Sequence, residues 1–232
     1  MMHPRDLLDH HLLDRLASAA PAAEVMGKLH DEQLDIIYNQ KWFSMFIPAS
    51  FGGAALSLTE IAHIEESLAW ADGSVAWVVT LCSGAGWFGG FVDQQIIAQF
   101  FTGDKVCIAG SGAIGTAEQD GNSYIINGIW PYATGSMHAT AFTINCQITH
   151  NGQLLTYDDG SPIIKSFILL PHEVNVIHTW HAMGMVATNS HSFTVHHVRV
   201  SAERSFILLP EKATSADRIF QFPFQQLAEA TL

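Results

Sequence analysis

Apolar side chains in the N-terminal part of the chain recur at the spacing of an α-helix. Leucines lie three and four positions apart between Leu7 and Leu16, with charged residues among them. A second amphipathic pattern covers residues 30–43. Ser57, followed by Glu60 three positions later, is typical of the capping box that begins a helix. We predict a helical N-terminal domain over residues 1–103.

The 20 residues between Asp72 and Asp93 carry no charge. This stretch is long enough to cross a bilayer, but five glycines dilute it, both flanks are acidic, and no Lys or Arg sets an orientation. We therefore expect a helix buried inside the protein and no membrane segment. The N-terminal sequence also lacks the apolar core of a signal peptide.

The pattern changes after residue 103. Short runs rich in β-branched and aromatic residues are separated by turn signals such as Asp120-Gly121-Asn122. From Gly121 to Tyr157 the chain has no formally charged residue, as expected of strands packed on more than one side. We predict an α+β protein, in which an antiparallel β-barrel or sandwich domain occupies residues 104–213. Residues 214–232 should form the start of a C-terminal helix whose apolar side chains have no partner helix.

Composition excludes some classes of partner. The chain has 22 acidic and 10 basic residues, a formal net charge of −12, which disfavours nucleic acid and anionic membrane surfaces. Charged residues make up 14 % against 48 % apolar ones, well below the usual quarter. We expect a homo-oligomer that covers part of this surface. Three widely spaced cysteines without CxxC spacing indicate buried thiols in a reducing, cytoplasmic compartment.

One short motif is rejected. Residues 110–115 match GxGxxG after a predicted strand, but a dinucleotide fold requires a helix to begin there. Instead, Asp120-Gly121-Asn122 indicates a turn and a further strand, and no acidic residue lies about twenty positions on. We predict no Rossmann fold.

The 13 histidines raise the question of a metal site. His178 and His181, and the adjacent His196 and His197, lie on a predicted strand or loop, where side chains alternate between faces. No cysteine or carboxylate cluster accompanies them, so we predict no metal site. Glu65 is also treated as solvated or helix-pairing, as is Glu66, although a catalytic role is possible in principle. Trp70, Trp77 and Trp87 are interpreted mainly as core, with one at the mouth of a substrate site.

Four segments, in order, resemble the acyl-CoA dehydrogenase superfamily, and most closely its branch of two-component flavin monooxygenases. They are the Pro-Gly-Gly turn at 46–53, the EE-ADGS-AW junction at 64–77, the strand pair 109–112 with 127–136, and the W-GM-TNS stretch at 180–191. The resemblance implies FAD or FMN as cofactor. It places the cofactor-binding residues at Ser111, Tyr132, Thr134, Trp180, Thr188 and Ser190. His138 and His191, which come with these segments, are the catalytic candidates for acid–base or substrate contact.

The resemblance implies a flavin-dependent oxidation or hydroxylation of a small organic or acyl substrate. The monooxygenase branch would receive reduced flavin from a separate reductase, whereas a dehydrogenase needs a base that this chain does not display. Residues 110–115 carry no acid, which disfavours acyl-CoA, and Val186 stands where the branch often has Arg. We also expect the family's C-terminal helical bundle to be absent. That leaves an alternative open: a non-catalytic two-domain relative that serves as a scaffold or ligand-binding protein.

Overall fold

A computed structural model describes residues 3–54, 56–101 and 103–231. The α-helices of this part are α1 (His10–Met26), α2 (Asp31–Asn39), α3 (Leu58–Ala71), α4 (Gly73–Gly86), the short α5 (Gln94–Ile97) and α6 (Phe224–Thr231). The strands are β1 (Ile108–Asp120), β2 (Ser123–Ala133), β3 (Ala141–His150), β4 (Gln153–Leu154), β5 (Ile164–Leu169), β6 (Asn175–Ile177), β7 (His191–Ser201) and β8 (Ser205–Phe206). The predicted α+β class is confirmed.

Polar caps fix where the N-terminal helices begin. The predicted capping box of α3 is present: the Ser57 hydroxyl accepts from the Glu60 amide, and the Glu60 carboxylate accepts from the Ser57 amide. The buried Gln33 of α2 donates to the Leu16 carbonyl oxygen at 3.1 Å and to the Asp72 carboxylate at 2.9 Å. These bonds tie α1, α2 and the α3–α4 junction into one layer.

The uncharged helix α4 lies at the centre of the molecule, as predicted. Most of its residues are buried, and Asp72 caps its first turn by accepting from the Ser74 amide at 2.9 Å. None of the helices in the described residues combines the length and the hydropathy that a bilayer crossing needs. The three cysteines are free and buried.

The sheet is mixed. Its strand order is β6-β7-β2-β1-β3-β5-β8, with β4 paired to β3, and the two end strands of this path do not pair with each other in the described residues. All pairs are antiparallel except β1 with β3, which run parallel from the Ile108–Ala141 pair onwards. The sheet is therefore mostly antiparallel, as predicted, but one pair of strands is parallel and the described strands do not close into a barrel. Strand β1 also continues unbroken through residues 110–115, which confirms the rejection of a dinucleotide loop.

Residues after 213 pack against the helical layer, contrary to our expectation of an unpartnered helix. The helix begins at Phe224, later than the predicted residue 214, because only a 3-10 turn (Arg218–Gln221) forms before it. Phe220 is fully buried and its ring lies 6.0 Å from that of Trp87. The Trp87 indole also donates to the Ile219 carbonyl oxygen at 3.0 Å. The C-terminal segment thus packs against aromatic side chains that follow α4, a contact that the sequence pattern did not reveal.

Candidate functional site

Two loops meet beside α4 and are joined by one backbone and one side-chain hydrogen bond. The Gly135 amide donates to the Thr188 carbonyl oxygen at 3.0 Å, and the Ser136 hydroxyl donates to the Asn189 carbonyl oxygen at 2.8 Å. Gly135 has φ +75° and approaches α4 closely, since a Cβ there would lie 2.5 Å from the Cys82 sulfur. Only glycine fits this position. The loops therefore bring the predicted residues of β2 and of residues 180–191 together.

Three of the predicted cofactor-binding side chains form one buried hydroxyl chain. The Thr134 hydroxyl lies 2.8 Å from that of Ser190, and Ser190 lies 2.8 Å from Thr188. The Thr188 hydroxyl donates to the Met185 carbonyl oxygen at 2.9 Å, while the Trp77 indole donates to Thr134 at 3.2 Å. All three hydroxyl-bearing residues are buried. We call Thr134, Ser190 and Thr188 the hydroxyl chain.

The direction of this chain follows from counting protons, because a hydroxyl has one to donate. Thr188 gives its proton to Met185, so Ser190 must donate to Thr188, and Thr134 must donate to Ser190. Thr134 already accepts from Trp77 and has two lone pairs. Its remaining hydrogen-bonding capacity is that of an acceptor. A ligand that meets Thr134 should therefore present an N–H or O–H group.

Tyr132 and Trp180 supply aromatic surface beside the hydroxyl chain. Their ring centroids lie 6.4 Å apart in an edge-to-face arrangement, and Tyr132 is 72 % exposed. Tyr132 has φ +60°, next to a break in the β2–β7 register between Trp130 and Ala133. Such irregularities redirect side chains near functional sites. An exposed tyrosine held in a left-handed conformation suits contact with a flat ligand.

A cavity of about 420 Å³ adjoins the hydroxyl chain at Thr134, between α4, strands β1 and β3, and α6. Its apolar lining consists of Phe46, Leu81, Ala85, Phe88, Ile144, Leu208, Phe224, Leu227 and Ala228. Its polar side chains are Thr80, Ser111, Thr134, Thr143, Asn145, Ser166 and Thr231. No charged side chain is among the described lining residues. The volume suits a small organic molecule, which this lining would hold largely by apolar contact.

Ser111 lies on the sheet side of this cavity, as part of β1. Its hydroxyl donates to the Pro131 carbonyl oxygen at 2.6 Å and accepts from the Ala113 amide at 3.3 Å. Farther along the same wall, the Ser166 hydroxyl donates to the Asn145 carboxamide oxygen at 2.7 Å. This bond leaves the Asn145 NH2 group as a donor for a ligand. Sequence reasoning missed Asn145 and Ser166, which lie on strands that gave no motif.

His191 lies at the other end of the site, with its ring 4.6 Å from that of His178. Its Nδ1 accepts from the Trp180 amide at 3.0 Å, so the neutral ring carries its proton on Nε2. Burial, with the nearby His178 and His181 adding to the effect, lowers the pKa of His191. No group of three or more potential metal ligands occurs within the described ranges. The structure thus places a neutral imidazole beside Trp180, outside the cavity lining.

His138 is not among the described residues that line the cavity. Its Nε2 is buried and finds no hydrogen-bond partner among the described residues. Burial lowers the pKa of His138 to about 4, with the charge of Lys28 acting in the same direction and that of Asp31 opposing it. Its neighbours therefore belong to the α1–α2 region.

Glu65 was predicted to be solvated or helix-pairing, and the first of these alternatives is wrong. Glu65 is 5 % exposed, and neither carboxyl oxygen has a hydrogen-bond partner in the described part of the chain. Burial raises its pKa to about 8, although the neighbouring Thr80 side chain, which lines the cavity, acts in the opposite direction. Glu65 occupies the apolar stripe of α3 between Ile61 and Leu68. That position is the sequence signal that could have singled it out.

Trp77 was also underestimated. Of the three tryptophans interpreted mainly as core, only Trp87 is fully buried, while Trp77 is 38 % exposed and Trp70 is 61 % exposed. Trp77 projects from α4 toward the hydroxyl chain, to which its indole donates. The sequence signal that could have singled it out is its place in the EE-ADGS-AW junction, one of the four segments that carry the resemblance.

Glu65 and His138 predict opposite pH effects on stability. The pKa of Glu65 rises from 4.5 to about 8 on folding, so its stability contribution is full below pH 4.5 and is lost as pH rises to 8. The pKa of His138 falls from 6.5 to about 4, so stability is lost as pH falls through that range. The free energy of unfolding of Glu65→Gln, measured in urea, should rise relative to that of the wild type as the pH rises. The gain should be about 1.4 kcal/mol for each unit by which the folded and unfolded pKa values of Glu65 differ. The free energy of unfolding of His138→Gln should rise relative to that of the wild type as the pH falls.

The exposed Glu66→Gln substitution on the same helix is the matched control for Glu65→Gln, because it removes a carboxylate from the solvent side of α3. If the free-energy difference between Glu65→Gln and the wild type were constant from pH 4.5 to 8, Glu65 would not be a proton-holding group in the folded chain. The same constancy in His138→Gln below pH 6.5 would contradict the placement of His138.

The donor set fits an isoalloxazine ring. The site offers an acceptor at Thr134, aromatic surface at Tyr132 and Trp180, and an apolar cavity beyond. A flat, mostly apolar ring with N–H and C=O groups along one edge requires these features. His191 and Ser111 lie at the two ends of the arrangement. No charged side chain is among the described residues that line the cavity next to Thr134.

Comparison with known proteins adds to this picture, although no family model matches the chain. Indole-3-acetate monooxygenase of Acinetobacter baumannii is 24 % identical over 225 residues, which are 95 % of this chain and 56 % of that protein. The flavin-dependent monooxygenase oxygenase subunit HsaA of Mycobacterium tuberculosis is 24 % identical over 197 residues, 84 % of this chain and 48 % of HsaA. The chain thus spans about half the length of the curated relatives it matches.

Solved structures share the fold. XiaF from Streptomyces sp., in complex with FADH2 and glycerol, superimposes with a TM-score of 0.85 at 21 % identity, over 98 % of this chain and 58 % of XiaF. The HsaA monooxygenase from M. tuberculosis gives a TM-score of 0.86 at 21 % identity, over 96 % of this chain and 62 % of HsaA. Of these proteins, two are named monooxygenases, HsaA is named the oxygenase subunit of a flavin-dependent one, and XiaF was solved with FADH2.

Proposed function

We propose that the chain is part of a flavin-dependent monooxygenase within the acyl-CoA dehydrogenase superfamily, and that it binds reduced FAD or FMN. The substrate is a small aromatic compound, which is hydroxylated. The direction of the hydroxyl chain is the observation that carries this proposal, because Thr134 has only acceptor capacity left for a ligand. Reduced flavin has an N–H at ring position N5, whereas oxidised flavin has a bare nitrogen there.

Each residue of the site has a stated task in this proposal. Thr134 accepts from the N5 edge, and Ser190 with Thr188 keeps the Thr134 proton pointed away from the ligand. Tyr132 and Trp180 flank the ring, and Ser111 lies toward its other edge. When bound, reduced flavin supplies the electrons that activate oxygen. The apolar cavity walls exclude water from that chemistry.

The cavity defines the substrate class. Phe46, Phe88 and Phe224 offer aromatic contacts, and the Asn145 NH2 group offers a donor to a substrate oxygen. With no charge among the described lining residues, an uncharged aromatic ring with a hydroxyl or carbonyl group fits better than a ligand that needs an ion pair inside the cavity. We assign to His191, which is neutral and bonded to the Trp180 amide, the exchange of a proton with the substrate.

The partners follow from the same reasoning. HsaA is named an oxygenase subunit, so we propose a separate flavin reductase as the source of reduced flavin. Large apolar side chains are exposed near the site, among them Tyr132 and Met183, and a second copy of the chain would cover such surface. The buried, free thiols fit a reducing compartment such as the cytoplasm.

The activity is tested with isotopic oxygen. The purified chain is mixed with chemically reduced FAD or FMN, ¹⁸O-labelled oxygen, and either indole-3-acetate or a neutral phenol. We expect one labelled oxygen atom in the product, with more product from the neutral phenol. Product is measured by mass spectrometry, and hydrogen peroxide is measured in parallel.

Thr116→Val is the matched control, because the Thr116 hydroxyl bonds to the Asn127 carbonyl oxygen on β2, away from the hydroxyl chain. It should form product at the wild-type rate, whereas Thr134→Val should release mostly peroxide. A folded chain that binds reduced flavin and yields only peroxide with every substrate would contradict the proposed activity and favour a ligand-binding role.

A further inference from the structure

A second, smaller space adjoins the cavity beside β1. It has a volume of about 260 Å³, and we call it the second chamber. The residues that line both spaces are Gly112, Asn145, Ser166 and Leu208. The remaining residues that line the second chamber are Ile114, Ile164, Phe206 and Ile207. The two spaces therefore meet across four shared residues, and we call this boundary the passage.

An irregularity in the sheet lies at the passage. Strand β1 has three residues between Gly110 and Ile114, whereas β3 has only Ile144 between the partners of these two residues. Gly112 is the middle residue of this bulge, and a Cβ there would meet no atom within 4 Å. Bulges of this kind are common next to functional sites. The passage is thus open at Gly112, because that residue has no side chain to fill it.

One polar pair also stands at the passage. Asn145 of β3 and Ser166 of β5 are cross-strand partners, joined by the bond from the Ser166 hydroxyl to the Asn145 carboxamide oxygen. The Trp130 indole donates to the Asn145 backbone carbonyl oxygen at 3.3 Å and so helps to fix this part of β3. The Asn145 NH2 group therefore meets a ligand from a held position, as a hydrogen-bond donor.

The second chamber has no charge to meet an ion. No charged side chain is among its described lining residues. Lys165 lies between two of them in sequence, but it is not part of the lining, and its ammonium group donates to the Tyr124 hydroxyl at 3.0 Å. An ionic group in the chamber would lose its hydration without gaining a counter-charge. An uncharged apolar group suits the chamber.

We propose that the second chamber is a subsite for the apolar substituent of the substrate, and that the substrate class is an uncharged alkyl aryl ketone. The aromatic ring occupies the first cavity, the ketone oxygen accepts from the Asn145 NH2 group, and the alkyl chain passes Gly112 into the second chamber. This deepens the proposed function and rests on it. A substituent without an oxygen at the passage would leave the Asn145 NH2 group without an acceptor.

The test compares ligands that differ only in chain length. The purified chain is titrated by calorimetry with 4-hydroxyacetophenone, 4-hydroxybutyrophenone and 4-hydroxyhexanophenone. We expect the wild type to bind up to about fourfold more tightly for each added methylene, the factor for a fully buried CH2 group. Gly112→Leu should bind the acetophenone as the wild type does but gain little from a longer chain, because its side chain fills the passage. Gly112→Ala is the matched control and should keep most of the gain.

Asn145→Leu tests the polar contact separately. Without the NH2 donor, all three ketones should bind about fivefold more weakly. The control ligand is 4-hexylphenol, which has no ketone oxygen, so its affinity should change less than that of 4-hydroxyhexanophenone. Equal losses for these two ligands would contradict the contact between Asn145 and the ketone oxygen.

Two results would overturn the second chamber as a subsite. One is an affinity that does not rise along the ketone series in the folded wild type; the other is an equal gain in Gly112→Leu and Gly112→Ala. Gly112→Val also fills the passage and serves if Gly112→Leu does not fold. Reduced-FAD binding is measured on the same samples. Flavin binding without a rise along the series removes only the subsite, whereas a folded wild type that binds no reduced flavin removes the proposed function.

Discussion

Replacing Thr134 with valine should weaken the binding of reduced flavin about tenfold, which corresponds to about 1.4 kcal/mol. The valine keeps the β-branched shape but removes the oxygen that would accept from the flavin edge. It also leaves the Trp77 indole without its acceptor. The affinity for oxidised flavin should change less, because oxidised flavin gains nothing from the acceptor. The dissociation constants are measured by anaerobic fluorescence titration.

Ser190→Ala gives the sharper version of this prediction. Without the Ser190 oxygen, the Thr134 proton loses its acceptor and can turn toward the ligand. Thr134 then donates to the bare nitrogen of oxidised flavin, so the preference for the reduced form should shrink or reverse. Thr116→Val, on the same sheet, is the control and should keep the wild-type preference. An unchanged preference in Ser190→Ala would contradict the assigned direction of the hydroxyl chain.

Trp87→Ala should be the most destabilising single substitution outside the site, costing about 3–5 kcal/mol. Trp87 is fully buried and its ring lies near those of Phe91, Phe220 and Phe224, at centroid distances of 4.4, 6.0 and 5.6 Å. Its removal opens a cavity and leaves the Ile219 carbonyl oxygen unpaired. The free energy of unfolding is measured in urea.

The same substitution tests how residues 219–231 are held. Because Trp87 anchors this segment, hydrogen exchange there should speed up in Trp87→Ala more than it does in β1 or β2. The control is Trp70→Ala, since Trp70 is 61 % exposed and its ring contacts that of His3 at 4.7 Å. Trp70→Ala should cost less than about 1 kcal/mol. Equal losses from the two tryptophans would contradict the packing described for the C-terminal segment.

Local signals predicted most of the fold. The helical spacing before residue 103, the capping box at Ser57 and the uncharged segment after Asp72 correspond to α1 to α4. The turn at Asp120-Gly121-Asn122 separates β1 from β2 as predicted. These features depend on neighbouring residues, whose propensities and periodicity appear directly in the sequence.

Features that depend on distant contacts were harder to predict. The parallel pairing of β1 with β3 depends on how the intervening loop crosses the sheet, which no short motif records. Phe220 finds Trp87 more than a hundred residues earlier in the chain. Charge alone suggested that Glu65 was solvated, whereas its place in an apolar stripe decided its burial. Tertiary packing overrode local character in each case.

The candidate site was predictable in its parts and not in its arrangement. The resemblance selected Thr134, Thr188 and Ser190, but only the folded chain reveals that their hydroxyls bond to one another in a fixed direction. His138 came from the same reasoning but is not among the described residues that line the cavity, and Lys28 and Asp31 influence its pKa. Asn145 contributes from a strand that carried no motif, and Trp77 from a motif that was interpreted mainly as core.

We expect this chain to bind reduced flavin more tightly than oxidised flavin. Purified chain is titrated anaerobically with FAD, FMN and their reduced forms, and the four dissociation constants are compared. We predict that at least one reduced form binds about tenfold more tightly than its oxidised counterpart, because Thr134 can accept but not donate. Equal or tighter binding of the oxidised forms by the folded chain would contradict the account.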